Sequence, residues 1–180
     1  MTALLALYAS LTSKLERADW LLSTVARFLF AAILMVYFLN SGLTKLGEGL
    51  AGIWTPSVGA YAQIFPRVIE IAGYDVEALS LFHKLVVLAG TWSEFILPVL
   101  IVLGFLTRLA ALGMIGFVVV QSLTDIHGHG ASDALGSWFD RFPDATIMDQ
   151  RALWIFLLLV LVVKGAGPLS FDRALAPATS

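Results

Sequence analysis

The chain has 180 residues, 59% apolar and 13% charged, where soluble domains hold about 45–50% apolar and about 25% charged residues. This composition excludes a soluble globular domain and points to a single integral membrane domain, and the net charge of −2 offers nucleic acid no basic surface. The absence of cysteine excludes a thiol relay, a thiolate metal site, an Fe–S cluster held by this chain and an internal disulfide. Any redox chemistry must use a bound cofactor, a quinone or a partner chain.

Residues 1–20 (MTALLALYASLTSKLERADW) lack the basic start and small-residue cleavage site of a secretory signal, and read as an interfacial helix. The first span is Leu21–Leu39, broken by Ser23, Thr24 and Arg27. Residues 46–83 follow, with Trp54, Pro56, Tyr61, Phe65, Pro66, Tyr74 and Phe82. Such aromatic density predicts short helices at a membrane–water interface. The second span is Leu85–Leu103, long enough for a hydrocarbon core of ~30 Å at ~1.5 Å per residue. The five-residue turn Gly104–Arg108 leads into the third, Leu109–Leu123, as an antiparallel hairpin. Residues 125–150 begin DIHGHG and carry Trp138, Phe139, Phe142 and Pro143. The fourth span has an apolar heart of only Ala152–Val163, bracketed by Arg151 and Lys164, both expected to snorkel. A helix from Ile147 to Gly165 would be long enough to cross.

The expected fold is an all-α integral membrane protein: a four-transmembrane-helix bundle, residues 21–173, with short interfacial helices in the outer loops. An N-terminal interfacial helix (1–20) precedes it and a tail (174–180) follows. Four spans put both termini and the 104–108 turn on one side, with Lys14, Arg17, Arg27, Arg108, Lys164 and Arg173. The long loops hold Lys45, Arg67, Lys84, Arg141 and Arg151, and nine of the thirteen acids. Counting cations places the termini in the cytoplasm.

Glu94 is the most informative residue. It lies inside the second apolar run, where a charge costs roughly 2.5–3.5 kcal/mol and so calls for a partner or a polar cavity. Pro98 has no N–H for the Glu94 carbonyl, so acid and freed carbonyl are expected in one kinked turn. Arg27 enters about 9 Å deep on the first helix and Glu94 about 13–14 Å from the same face on the second. The expectation is a buried Arg27–Glu94 pair, either an architectural clamp or a site where Glu94 handles a proton or orients a ligand. Lys45 follows Arg27 by five turns and shares its face with Ala31, Leu34, Phe38, Ser41 and Gly42. Interfacial snorkelling is its plainer role. Gly90, Thr91, Glu94 and Pro98 form a small polar stripe on the second helix. On the third, Gly113, Phe117 and Gln121 share a face, with Gln121 an interhelical hydrogen-bond donor.

Asp125, His127 and His129 are the metal candidates, for copper or zinc. A closed site needs about four ligands, which His83, Asp133, Asp140, Asp144 or a partner would have to complete. The competing reading is a glycine-rich turn with solvated histidines. No nucleophilic triad, phosphate loop or dinucleotide fingerprint is present.

The order of motifs is informative as a set: an arginine early in the first span, SGLTKL (41–46), a glutamate in the second span, GFLTRLAAL (104–112) and GAGPLSFD (165–172). It resembles the DoxX family of small four-helix bacterial membrane proteins, over roughly residues 21–173. The resemblance implies a subunit of a membrane oxidoreductase assembly, as in a thiosulfate:quinone oxidoreductase, that is not catalytic alone. It also implies an inner-membrane location, no covalently held cofactor and a quinone as ligand, with Arg27, Lys45, Glu94, Pro98 and Gln121 around the polar interior. The expected partners are the lipid bilayer and a protein partner or second copy. HGHG lies outside the family pattern. It supports an alternative, a non-enzymatic partner in metal or peptide handling; a small transporter is a third reading, but no internal repeat favours it.

Overall fold

The computed structural model describes residues 2–16 and 18–176. Arg17 and the last four residues of the expected tail lie outside the described residues. Helix α1 (Thr2–Glu16) precedes α2 (Asp19–Leu29), a π-helical segment (Phe30–Met35) and α3 (Val36–Leu43). These last three form one continuous helix, Asp19–Leu43. The first long loop carries α4 (Val58–Ile64) and α5 (Pro66–Ile71). Then come α6 (Leu81–Leu103), α7 (Thr107–Leu123) with a second π turn (Thr124–Gly128), α8 (Gln150–Lys164) and α9 (Phe171–Leu175).

Among the described residues, three helices are long and apolar enough to cross a membrane: Asp19–Leu43, Leu81–Leu103 and Thr107–Gly128. Helix α8 packs beside α7 and α2, but its 15 residues span only about 22 Å. It starts three residues later than expected, at Gln150, because Ile147 is engaged elsewhere. The Ile147 N–H donates to the Ala134 carbonyl, and its own carbonyl accepts from Gly136 N–H. The backbone that would have lengthened the helix instead closes the second loop.

The core combines Ala26, Phe30, Leu34 and Phe38 with Ile101, Ala110, Ala111, Met114, Val118, Leu158 and Leu161. Phe38 is fully buried, edge-on to Phe117 and Trp154 with ring centroids 5.9 and 6.3 Å apart. Outward positions such as Phe28, Ile33, Leu109, Val120, Leu153 and Phe156 are exposed apolar groups. That polarity suits lipid, where helix association rests on close packing and not on expelling water.

The first long helix has a rule of its own. After Ser23, its buried positions Ala26, Phe30, Leu34, Phe38 and Gly42 are each four residues apart. On a regular α-helix each such step overshoots the turn by ~40°, so the stripe would wind away from its neighbours. The π segment absorbs one extra residue, a ~100° correction, and keeps the stripe facing the bundle. Gly42 ends this stripe against α6, and a Cβ there would sit 2.7 Å from the Phe95 ring.

At one end of the bundle α6 stops in a Schellman turn: Gly104 adopts φ 70°, Gly104 N–H reaches Ile101 and Phe105 N–H reaches Leu100. At the other end the long loops meet. A smaller cluster (Ala60, Tyr61, Ile69, Leu79 and Val87) seats α4 and α5 on the start of α6. Trp92 donates to the Ile53 carbonyl, and its ring packs against Trp54.

Candidate functional site

Lys45 follows α3 and Glu94 sits mid-way along α6, and the bundle buries both, at 4% and 2% exposure. Lys45 Nζ lies 3.0 Å from Glu94 Oε1 and 2.9 Å from Oε2. The hydrogen bond goes to Oε1. Ser41, one turn before Lys45, completes the group: its hydroxyl donates to Oε1 at 2.8 Å and accepts from Nζ at 2.8 Å. Nζ also donates to the Ser41 carbonyl at 3.2 Å. Oε2 shares the charge contact, but no donor among the described residues is aimed at it.

The group opens on a cavity of about 410 Å³ between α3, α6 and α7, reaching the loop end of the bundle. Gly90, Gly113 and Gly116 keep its walls low, Ile64, Val86, Phe117 and Val120 make them apolar, and Ser93 and Gln121 add polar points. Asp125 and His129 stand on the same lining. His129 Nε2 donates to the Gln63 carbonyl at 3.0 Å, which joins the two long loops across the cavity.

Arg27 is elsewhere, so the expected Arg27–Glu94 pair is corrected. Its guanidinium donates to the carbonyls of Ile101 and Val102, at the end of α6, and of Ala166 and Leu169, in the segment after α8. Val102 is eight residues beyond Glu94, about 12 Å along the helix. The side chain turns back toward its own end, where the α6 carbonyls have no helical partners and carry the negative end of the dipole. Beside it, Asp172 accepts from Leu106 and Thr107 N–H at 2.7 and 2.9 Å and so caps α7. Partial burial pushes the Asp172 carboxyl up, but those two amides and the Arg27 charge outweigh it and hold the group below the usual carboxylate range. The turn 104–108 and the segment GAGPLSFD therefore form one structural knot around Arg27.

Lys45 does not snorkel, and neither does Arg151. Arg151 is 4% exposed, donating to Asp125 Oδ2 at 2.6 Å and to Ser122 at 3.0 Å. Asp125 is thus committed to an arginine, His129 to a carbonyl, and His127 is exposed. Among the described residues no three His, Asp or Glu side chains converge on a point. Pro98 is buried within α6, which continues as a single helix past it. Gln121 donates to the Tyr37 hydroxyl at 2.9 Å, while its Oε1 is buried without a donor. Ser93 on the lining and Tyr37 behind Gln121 were left out by sequence reasoning, and Ser41 was placed on the Lys45 face without a role. Ser41 carried a usable signal, one helical turn before a lysine in an apolar helix.

The DoxX family model matches residues 23–125, which contain the cavity lining except His129. The chain belongs to the DoxX family. No curated protein and no solved structure matches it. In this DoxX chain the matched segment contains Arg27, Lys45, Glu94 and Gln121 and ends before α8 and GAGPLSFD.

Proposed function

We propose that this DoxX chain is a bacterial inner-membrane subunit of a quinone-linked or respiratory-type oxidoreductase assembly, with the Lys45–Glu94 cavity as its ligand site. The observation that carries this reading is a buried ion pair facing a cavity that it does not fill. A purely architectural pair needs no space beside it, whereas an intramembrane charge next to a cavity marks a ligand or ion site. The cavity's glycine and apolar walls, with the Lys45–Glu94 group among its polar points, suit a ring with polar substituents and an apolar tail. Without cysteine, any redox chemistry uses a bound cofactor, a quinone or a partner chain.

In this reading α8 is the fourth crossing, its 15 residues extended to the interfaces by Lys164 and the loop before Gln150. The termini lie in the cytoplasm, and α1, with Leu4, Leu7, Leu11 and Leu15 exposed, lies on the inner leaflet. The test is solvent extraction of the chain purified from native membranes in mild detergent. Quinone approaching one molecule per chain is expected; only the trace amount carried by bulk lipid contradicts the proposal.

A further inference from the structure

At the Glu94 end of the cavity the hydrogen-bond inventory is lopsided, while Gln63, Gln121 and Thr124 keep further donors elsewhere on the lining. An ammonium has three protons and a hydroxyl one. Those of Lys45 go to the Ser41 carbonyl, Ser41 Oγ and Glu94 Oε1, and that of Ser41 goes to Glu94 Oε1. Ser93, on the cavity wall, spends its proton on the Ala89 carbonyl. On the acceptor side Glu94 Oε2 has the Lys45 charge contact at 2.9 Å but no aligned donor, and Gln121 Oε1 has no donor, among the described residues; both side chains belong to this lining.

We infer that the cavity is an acceptor site, built to take the hydroxyl-bearing, reduced form of its ligand in preference to the carbonyl-bearing, oxidised form. This rests on the quinone reading above. A hydroquinone hydroxyl donated to Glu94 Oε2 makes a charge-assisted bond, the stronger class. A quinone carbonyl brings a second acceptor to an end of the cavity whose protons are spent, and leaves Oε2 with the Lys45 charge contact alone. The Glu94 carboxylate then acts as a positioning group for one ring oxygen, with Lys45 and Ser41 fixing its orientation.

The test is binding of a decyl-tailed benzoquinone and of its two-electron-reduced hydroquinone to the purified full chain, the latter under anaerobic conditions. The hydroquinone is expected to bind at least ~10-fold more tightly, which raises the midpoint potential of the bound couple by about 30 mV per factor of ten. In Glu94→Gln the amide supplies a donor as well as an acceptor, so the ratio should fall toward one in a variant that still elutes as a folded species. The wild-type ratio is decisive even if that variant does not fold. Equal or tighter binding of the oxidised form overturns the inference and leaves the quinone site standing. Absence of binding by either form overturns the quinone reading, and this inference with it.

Discussion

Lys45 and Glu94, 49 residues apart in the chain, meet at 2.9 Å inside the bundle, and Ser41 is hydrogen-bonded to both. The contact ties the end of α3 to the middle of α6. Gly42 makes the approach possible, since a side chain there would strike Phe95.

Removing either charge strands the other in a low-dielectric setting, so Lys45→Met and Glu94→Gln should each lower the thermal midpoint in detergent. The double variant should lose less than the sum. A coupling of roughly 1–2 kcal/mol is expected, at the upper end for polar pairs between membrane helices. The same cycle on Arg27 and Glu94 should show near-additivity.

Arg27 holds four carbonyls from two segments, a task that needs a planar fork. Arg27→Lys keeps the charge but cannot span them. A stability loss on the order of 2–4 kcal/mol is expected, less than four separate charge-assisted bonds at about 1.5–3 kcal/mol each. Hydrogen exchange at residues 165–172 should rise sharply, and unchanged protection there would remove the clamp from the account.

Asp172 supplies a pH signature. Its carboxyl is held below the usual range, so its contribution is complete above the unfolded value of about 3.9 and is lost as pH falls through the lower folded value. The difference in thermal midpoint between wild type and Asp172→Asn should be open at pH 7 and close progressively below pH ~4. A gap that stays constant to the lowest pH would show that the charge plays no part.

Sidedness has a direct test. Cysteine at Ser57 or Ser132, in the long loops, should react with an impermeant reagent in spheroplasts, while cysteine at Ser10 should not. The opposite labelling would put the cavity mouth in the cytoplasm.

Glu94 was legible in the sequence because a carboxyl in an apolar run is costly wherever it sits. Its partner was not. The depth argument for Arg27 assumed that its side chain points inward, but the carbonyls of Ile101 and Val102 leave no mark in a residue string. The face argument assumed 3.6 residues per turn throughout, and Phe30–Met35 is wider. The even four-residue spacing of Ala26, Phe30, Leu34, Phe38 and Gly42 was the available clue. The length of the last helix failed for a similar reason: Ile147 is apolar and periodic, yet its backbone is paired with Ala134 and Gly136.

Gly116 offers the most direct test of the ligand site. It lines the cavity, and a Cβ there meets nothing within 4 Å, so a side chain can start from this position without displacing a neighbour. Replacing glycine within a helix also tends to stabilise it, by up to ~1 kcal/mol. The measurement is the quinone content of Gly116→Phe purified beside the wild type, with thermal unfolding on the same samples. The account predicts a variant that is folded, at least as stable and depleted of quinone; a folded variant that keeps the wild-type quinone content would contradict it.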